Sequence, residues 1–203
     1  MKNKSTCFAS VLLLLIAGCA TSPMKAAKKA GITNVAVEPR VDAREGMRYG
    51  VELKGNLANT LASIIVDSAG QNGIARMSQV MATNNIVVPE MVRESAVKHI
   101  QQCDAFHLED SSADGIFIFS IAGYGFDNQD FHISKKFPFV LLHAELRDRK
   151  GKKLWSRDNT MVQLQVAGIS ETWDEFEAQP ELLRAAWQKQ IDNVVGRLIP
   201  CGK

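Results

Sequence analysis

The sequence lacks the short motifs that mark the commonest enzymatic sites. The stretch Gly123-Tyr124-Gly125 has neither a third glycine nor a following helix pattern, so it is not a glycine-rich phosphate cradle, and a strand end that packs a tyrosine is the expected alternative. No GxSxG nucleophile elbow and no HExxH zinc motif occur either. We therefore predict no cofactor and no enzymatic activity.

An excess of charge of either sign is also missing. The chain has 24 lysines and arginines against 22 aspartates and glutamates, a formal net charge of +2. Nucleic acids and anionic surfaces attract proteins through clustered positive charge, which a balanced chain does not supply globally. We therefore expect no nucleic-acid partner.

Long apolar runs are absent apart from one at the N-terminus. Lys2 and Lys4 form a positive segment ahead of the uncharged residues 8–17, which end in small side chains, as in a secretory signal. The run is shorter than the ~20 residues that a transmembrane helix needs, so a permanent membrane span is the weaker alternative.

The end of this run, Leu15-Ile16-Ala17-Gly18-Cys19, resembles the lipobox of bacterial lipoproteins. The resemblance implies that the Cys19 thiol is lipidated and that cleavage removes the signal peptide, residues 1–18, leaving 22 basic and 22 acidic residues. In the enterobacterial sorting pattern, Ala20 in place of an aspartate implies an outer-membrane anchor and a periplasm-facing domain. The alternative is an ordinary signal peptide cut near Ala20, with Cys19 incidental.

The mature chain divides into a tether and one domain. Residues 19–31 contain Pro23, lysines and alanines without a sustained apolar stripe, which predicts a lipidated tether that reaches ~40 Å when fully extended. Residues 32–203 fit the size of a single periplasmic domain.

Cysteine is scarce in this mature chain. Cys7 leaves with the signal peptide and Cys19 takes the lipid, so Cys103 and Cys201 remain. In an oxidising compartment an isolated pair is most simply a disulfide, and closing so long a loop stabilises the fold by about 4–5 kcal/mol in the entropy model. Metal ligation and free thiols are the alternatives, and the lack of a CxxC motif argues against zinc. His99 is expected at the edge of the core and not as a ligand.

Hydrophobic periodicity predicts a single α/β domain whose mixed sheet of about five strands is flanked by three helices, in the order βαβαβββα. Residues 115–121 are almost continuously apolar and are predicted as the central strand. Residues 140–146 alternate apolar and polar and are predicted to form a hairpin with a strand from Leu154. The remaining predicted elements are a strand at 32–38, a helix from Leu53 that stops near Gly70 and Gly73, a short strand at 74–77, a helix beginning at Pro89 and a last helix from Pro180.

Several stretches resemble a group of bacterial periplasmic lipoprotein domains: the peptidoglycan-synthase activators, the curli-secretion lipoprotein and the N-terminal domain of the Tol translocation protein. These stretches cover most of residues 32–165 and comprise Asn34-Val35-Ala36-Val37-Glu38-Pro39, the Leu57 and Leu61 helix, Ala113-Asp114-Gly115-Ile116-Phe117-Ile118, and Leu146-Arg147-Asp148-Arg149-Lys150-Gly151-Lys152-Lys153-Leu154-Trp155. The resemblance implies a non-enzymatic factor that binds a protein partner and helps to assemble or regulate a larger machine.

Aromatic residues near one predicted loop are the candidate docking residues. Phe126 and Phe131 lie in or beside the mixed-charge residues 127–138, and Trp173 and Phe176 precede the last helix. Aromatic side chains within a polar rim are typical of interface hot spots, so we predict that these four residues bind the partner. The alternative is that they close the domain's own core.

One polar cluster in the same loop could hold a metal. Asp127, Asp130 and His132 lie close together in the sequence, but an exposed polar turn is the more usual arrangement, so we predict no metal site.

Two functional classes remain. The first is an outer-membrane-anchored, non-enzymatic binding, assembly or regulatory factor for an envelope protein complex. The second is a periplasmic hydrolase or small-ligand carrier with a dispersed site, which a deep polar pocket containing His143, Glu145 or Asp127 would favour. We expect the first class, because no nucleophile and base occur in a recognisable arrangement.

Overall fold

The computed structural model describes residues 22–43, 46–49, 60–129, 132–159 and 169–201. These ranges contain seven strands and five helices, so the predicted α/β class with a mixed sheet is confirmed, whereas five strands and three helices are too few. In chain order the elements are α1 (Pro23–Ala30), β1 (Asn34–Val37), β2 (Asp42–Ala43), β3 (Met47–Tyr49), α2 (Thr60–Thr83), α3 (Val88–Gln101), β4 (His107–Leu108), β5 (Gly115–Gln129), β6 (His132–Asp148), β7 (Lys153–Asp158), α4 (Trp173–Ala178) and α5 (Pro180–Leu198).

The seven strands form one mixed sheet in the order β4-β1-β5-β6-β7. Strand β1 runs parallel to β4 and β5, while β6 is antiparallel to both β5 and β7. Strands β2 and β3 also pair with β5, farther along it than β1. Pro39 follows β1 and has no backbone N–H to donate, which interrupts this line of strands.

Strand β5 is central, as predicted, and it contains a β-bulge. Phe117 and Phe119 are buried, at 0% and 1% exposed. The pairing with β6 shifts between Ile121 and Gly123, so β5 carries one extra residue there. Because side chains alternate along a strand, one extra residue reverses the face that every later side chain occupies. Phe126 is therefore brought to the face that carries Phe117.

The hairpin of β6 and β7 confirms the predicted alternation. Val140, Leu142, Ala144 and Leu146 are at most 1% exposed, and the residues between them retain more solvent contact, except that Glu145 is 9% exposed. The connecting turn contains Gly151 at φ 79°, a left-handed conformation that glycine adopts without a side-chain clash.

Helix α1 corrects the predicted tether. Ser22 caps it, its hydroxyl accepting a hydrogen bond from the Lys25 N–H at 3.3 Å, and Pro23 occupies the first turn, where a missing N–H costs nothing. Ala27 is 2% exposed and belongs to the core, and the helix lies against β7. A short amphipathic segment rich in alanine thus docks on the domain, and a freely extended tether over residues 23–30 is wrong.

Helix α2 corrects two further predictions. It continues through Gly70 and Gly73 to Thr83, so these glycines do not end the helix and residues 74–77 are not a strand. Tertiary packing explains the difference, since Met77 and Met81 lie on one face and are 0% and 6% exposed. A glycine costs a helix only ~1 kcal/mol relative to alanine. The free energy gained by burying the two methionine side chains is larger than this cost.

Helices α3 and α5 pack against each other and against the sheet. The Ser95 hydroxyl donates a 2.6 Å hydrogen bond to the Asp192 carboxylate across their interface. Helix α5 starts at Pro180, as predicted, and buries Leu183, Trp187, Ile191, Val194 and Leu198. Among the described residues no helix has the length and apolar character needed to span a membrane.

Candidate functional site

The predicted aromatic docking residues do not form an exposed surface. Phe126 and Phe176 are both 0% exposed, and Trp173 is partly buried against the core. Phe131 lies outside the described residues. The prediction that Phe126 and Phe176 contact a partner is therefore wrong, and for them the alternative, closure of the domain's own core, is correct.

Ring geometry shows why these side chains are internal. The Phe126 ring lies 5.1 Å from Trp173, 5.9 Å from Phe176 and 5.5 Å from Trp187, measured between centroids. The contacts with the two tryptophans are edge-to-face, the geometry that aromatic quadrupoles favour. Phe126 thus joins the sheet to α4 and α5, and the bulge in β5 is the feature that places it there.

Helix α4 is short and is positioned by its cap and by α2. Thr172 and Glu175 form a reciprocal capping box, a sequence signal that identifies the start of this unpredicted helix. Arg76 of α2 forms ion pairs with Asp174, at 2.7 Å, and with Glu177. Below these pairs the Trp173 indole occupies the space that a side chain at Gly73 would fill, since a Cβ there would lie 2.5 Å from the indole Nε1.

A buried lysine lies beside this aromatic cluster. Lys136 is 5% exposed, its Nζ donates a 2.6 Å hydrogen bond to Asn128 Oδ1, and it stands 5.9 Å from the centroid of the Trp173 ring. Burial lowers the pKa of Lys136 and raises the pKa of the nearby Asp127 carboxyl. These contacts link the β5–β6 hairpin to α4, which is a structural role. Asp130 and the His132 side chain, which the sequence groups with Asp127, lie outside the described residues.

The glycines of Gly123-Tyr124-Gly125 accommodate β3. A Cβ at Gly123 would come within 3.0 Å of the Arg48 Cζ, and one at Gly125 would overlap the Arg48 backbone. The Arg48 guanidinium crosses this bare stretch and donates to the Ala122 carbonyl at 3.3 Å. Tyr124 packs edge-on against Trp187 at 6.1 Å. The glycines thus serve close strand packing, and the tyrosine packs as expected, but the stretch lies inside β5 and not at a strand end.

The most concentrated polar arrangement on the described sheet is an ion-pair network on β6 and β7. His143 Nε2 lies 3.0 Å from Glu145 Oε1, and His143 Nδ1 lies 2.8 Å from Asp158 Oδ1. On its other side Glu145 accepts a 2.8 Å hydrogen bond from Arg147 Nε, and Lys153 Nζ stands 3.6 Å away. Both imidazole nitrogens face carboxylates, so each must donate a proton for the contacts to be favourable.

This geometry favours the charged form of His143. Partial burial lowers its pKa, but the hydrogen bonds to Glu145 and Asp158 outweigh burial and raise the pKa above 6.5. The same hydrogen bond from His143, together with Arg147, lowers the pKa of Glu145 to about 2. A doubly protonated imidazole has no lone pair with which to accept a proton, so the network does not supply a general base in this state.

Cross-strand register places two isoleucines beside the network. Ile116 pairs with Arg147 and Ile118 pairs with Glu145, and residues directly opposite each other share a face of the sheet. Both isoleucines are partly exposed, unlike Phe117 and Phe119 on the opposite face. We call Ile116, Ile118, His143, Glu145 and Arg147 the β5–β6 patch. It combines apolar area with both signs of charge.

The two remaining cysteines meet at the opposite end of the helical layer. Cys103 follows α3, Cys201 follows α5, and the structure joins them in the disulfide that the sequence predicts, with Cα atoms 5.2 Å apart. This separation lies within the usual range for disulfides. His99 Nε2 is 2.7 Å from the Ile199 carbonyl oxygen and 3.3 Å from Cys201 Sγ.

Comparisons with known proteins add little to this geometry. No family model matches the chain, and no curated protein matches it either. Among solved structures, a Xanthomonas campestris protein described as belonging to family DUF330 is similar over 84% of this chain and 85% of its own, with 12% identity and a TM-score of 0.40. A TM-score at this level does not establish a shared fold.

Proposed function

We propose that this protein is an outer-membrane-anchored periplasmic lipoprotein that acts as a non-enzymatic binding, assembly or regulatory factor for an envelope protein complex. The observation that carries the proposal is Leu15-Ile16-Ala17-Gly18-Cys19 at the end of a secretory apolar run. The family resemblance over residues 32–165 supports the second half of the proposal.

The start of α1 limits how far the domain stands from the membrane. Only Ala20, Thr21 and Ser22 separate Cys19 from Pro23. Four residue steps span at most ~14 Å, compared with the ~40 Å of an extended tether. Lys25, Lys28 and Lys29 are exposed on α1, so they lie within reach of anionic headgroups. A domain held this close reaches partners at the same membrane surface.

The β5–β6 patch is the surface through which we propose that the protein docks its partner. Ile116 and Ile118 supply apolar area, while the flanking ion pairs supply a polar rim of both signs. Interfaces between proteins have this composition, whereas an anionic lipid surface requires clustered positive charge. The partner is therefore a protein whose docking face carries an apolar centre with charges of both signs around it.

Anchoring and docking are tested separately. For anchoring, the Cys19→Ser protein is expected in the soluble periplasmic fraction, and the wild-type N-terminal peptide is expected to carry acyl mass. Membrane sedimentation of the variant, together with an unacylated wild-type peptide, would refute the anchor. For docking, Arg147→Glu is expected to abolish partner crosslinking in intact cells, while Arg157→Glu, on β7 outside the patch, is the matched control.

A hydrolase or ligand carrier would need a different arrangement of the same groups. Catalysis by His143 requires a free imidazole nitrogen, but both nitrogens are hydrogen-bonded to carboxylates. Hydrolysis of generic ester or amide substrates that is lost in His143→Gln would favour this class over the binding factor.

A further inference from the structure

Three metal-ligating side chains converge where α3 and the C-terminal tail meet. Ligand atoms of His99, Cys103 and Cys201 all lie within 4.8 Å of one another. Cys103 is 2% exposed, and His99 and Cys201 are partly buried. The group lies apart from the β5–β6 patch, because it belongs to the ends of the two packed helices.

The sequence assembles this cluster through helix periodicity. His99 lies in the last turn of α3 and Cys103 lies just past its end at Gln101, where its Sγ stands 3.4 Å from the His99 carbonyl oxygen. The last residues of α5 bring Cys201 to them. Gly196 faces the imidazole, with 3.6 Å between its Cβ position and His99 Cε1. The apolar stripe of α3 favours His99 as a residue at the edge of the core, whereas its four-residue distance from Cys103 favours a shared ligand site.

One imidazole nitrogen and two thiolates make a Cys₂His donor set, which suits Zn²⁺ with a fourth position left for water. We propose that the reduced, dithiol form of this protein binds one Zn²⁺ ion through His99 Nε2, Cys103 Sγ and Cys201 Sγ. The disulfide and the metal site are alternatives, because the sulfurs bonded to each other offer no thiolate.

A protein dithiol can supply the two electrons that convert the disulfide form into the zinc-binding dithiol form. A thiolate of the reductant attacks one sulfur of the Cys103–Cys201 bond, two electrons pass to this pair, and the reductant leaves as its own disulfide. Binding of Zn²⁺ then displaces two thiol protons. His99 must carry its remaining proton on Nδ1, so Nε2 gives up its hydrogen bond to the Ile199 carbonyl.

The consequence is that zinc replaces the disulfide as the connection between α3 and the C-terminal tail. In the oxidised form the Cys103–Cys201 bond connects the two segments. In the reduced form the two free thiolates and His99 bind Zn²⁺, which connects them instead. The protein would then report the redox state of its compartment by gaining or losing zinc.

The test uses the full chain in detergent with Cys7→Ser and Cys19→Ser, so that Cys103 and Cys201 are the remaining thiols. Oxidised and phosphine-reduced samples are titrated with Zn²⁺ against a chromophoric chelator, and Co²⁺ serves as a spectroscopic substitute. The reduced form is expected to bind one equivalent and to show thiolate-to-cobalt charge-transfer absorption, and the oxidised form to bind none. His99→Gln should weaken binding by more than ~10-fold, the low end of the losses seen even for residues that only support ligands. His107→Gln, which changes an exposed side chain on β4, is the matched control.

Three results would overturn the proposal. One is a reduced chain that keeps its circular dichroism spectrum and binds no Zn²⁺. Another is His99→Gln affinity equal to that of the parent. The third is a chain that unfolds on reduction and that Zn²⁺ does not refold.

Discussion

Gly73→Ala is expected to destabilise the protein, against the usual effect of this substitution in a helix. Replacing a glycine inside a helix by alanine normally stabilises by ~1 kcal/mol. At position 73, however, the new Cβ would lie 2.5 Å from the Trp173 indole Nε1, far inside the ~3.5–4.0 Å of an ordinary contact. The indole must move away from Gly73.

The magnitude follows from what Trp173 loses. Its ring pairs edge-to-face with Phe126 at 5.1 Å, and such pairs contribute about 0.5–1.5 kcal/mol beyond burial. Forcing an extra methyl group into a packed contact costs about 1–3 kcal/mol. Subtracting the propensity gain leaves a net destabilisation of ~1–3 kcal/mol, or a fall in Tm of ~3–10 °C for a domain of this size.

The assay is thermal and urea unfolding followed by circular dichroism, with a matched control in another helix. A Cβ at Gly196 of α5 meets only His99 Cε1, at 3.6 Å, so Gly196→Ala is expected to be neutral or stabilising. In a Trp173→Ala background, Gly73→Ala should become stabilising as well, because the clash is gone. If Gly73→Ala raises the Tm of the wild-type protein, the packing of Trp173 over α2 is wrong.

Three further predictions concern pH, the disulfide and the core. The pKa of Glu145 is lowered from 4.5 to about 2, so this carboxylate stabilises the fold above pH ~4.5 and the effect is lost as the pH falls towards 2. The pKa of His143 is raised, so this imidazole stabilises the fold below pH ~6.5 and the effect is lost as the pH rises further. The free energy of unfolding in urea should therefore be ~1–2 kcal/mol higher between these two limits than outside them, and His143→Gln should flatten this maximum. Reduction of Cys103–Cys201 without added metal should lower the free energy of unfolding by up to ~4–5 kcal/mol, measured in urea with and without the reductant, and an unchanged midpoint would contradict the disulfide. Phe126→Ala should cost ~3–5 kcal/mol by the same measurement, and a loss below 1 kcal/mol would show that the ring is not in the core.

Regular periodicity made part of the fold predictable. The alternation of Val140 to Leu146 and the helix from Pro180 need only a repeat of two or of about 3.6 residues, and both appear where expected. Periodicity does not reveal α1, because its buried residues are only Pro23 and Ala27, and it does not reveal the full length of α2, because Gly70 and Gly73 resemble helix stop signals. Helix α2 continues past these glycines because Met77 is buried in the tertiary structure, and the helix propensity of the local sequence gives no information about that burial.

The candidate site was harder to predict for a physical reason. Strict alternation from Phe117 puts Phe126 on the opposite face, and only the bulge between Ile121 and Gly123 brings it inward. A bulge has no reliable signature in a single sequence. The β5–β6 patch was partly visible in the polar alternation of β6, but the pairing of Ile118 with Glu145 depends on strand register.

The most direct test of the proposed function is photocrosslinking in intact cells from a residue within the patch. A photoreactive phenylalanine analogue replaces Ile118 in the full-length protein, whose Cys19 is kept, and the same analogue replaces the exposed Glu94 of α3 as a control. Docking through the β5–β6 patch predicts one captured envelope protein from position 118, lost when Arg147→Glu is added, and no such product from position 94. Equal capture from both positions, or none from position 118 in cells where the protein is membrane-bound, would contradict docking through the β5–β6 patch.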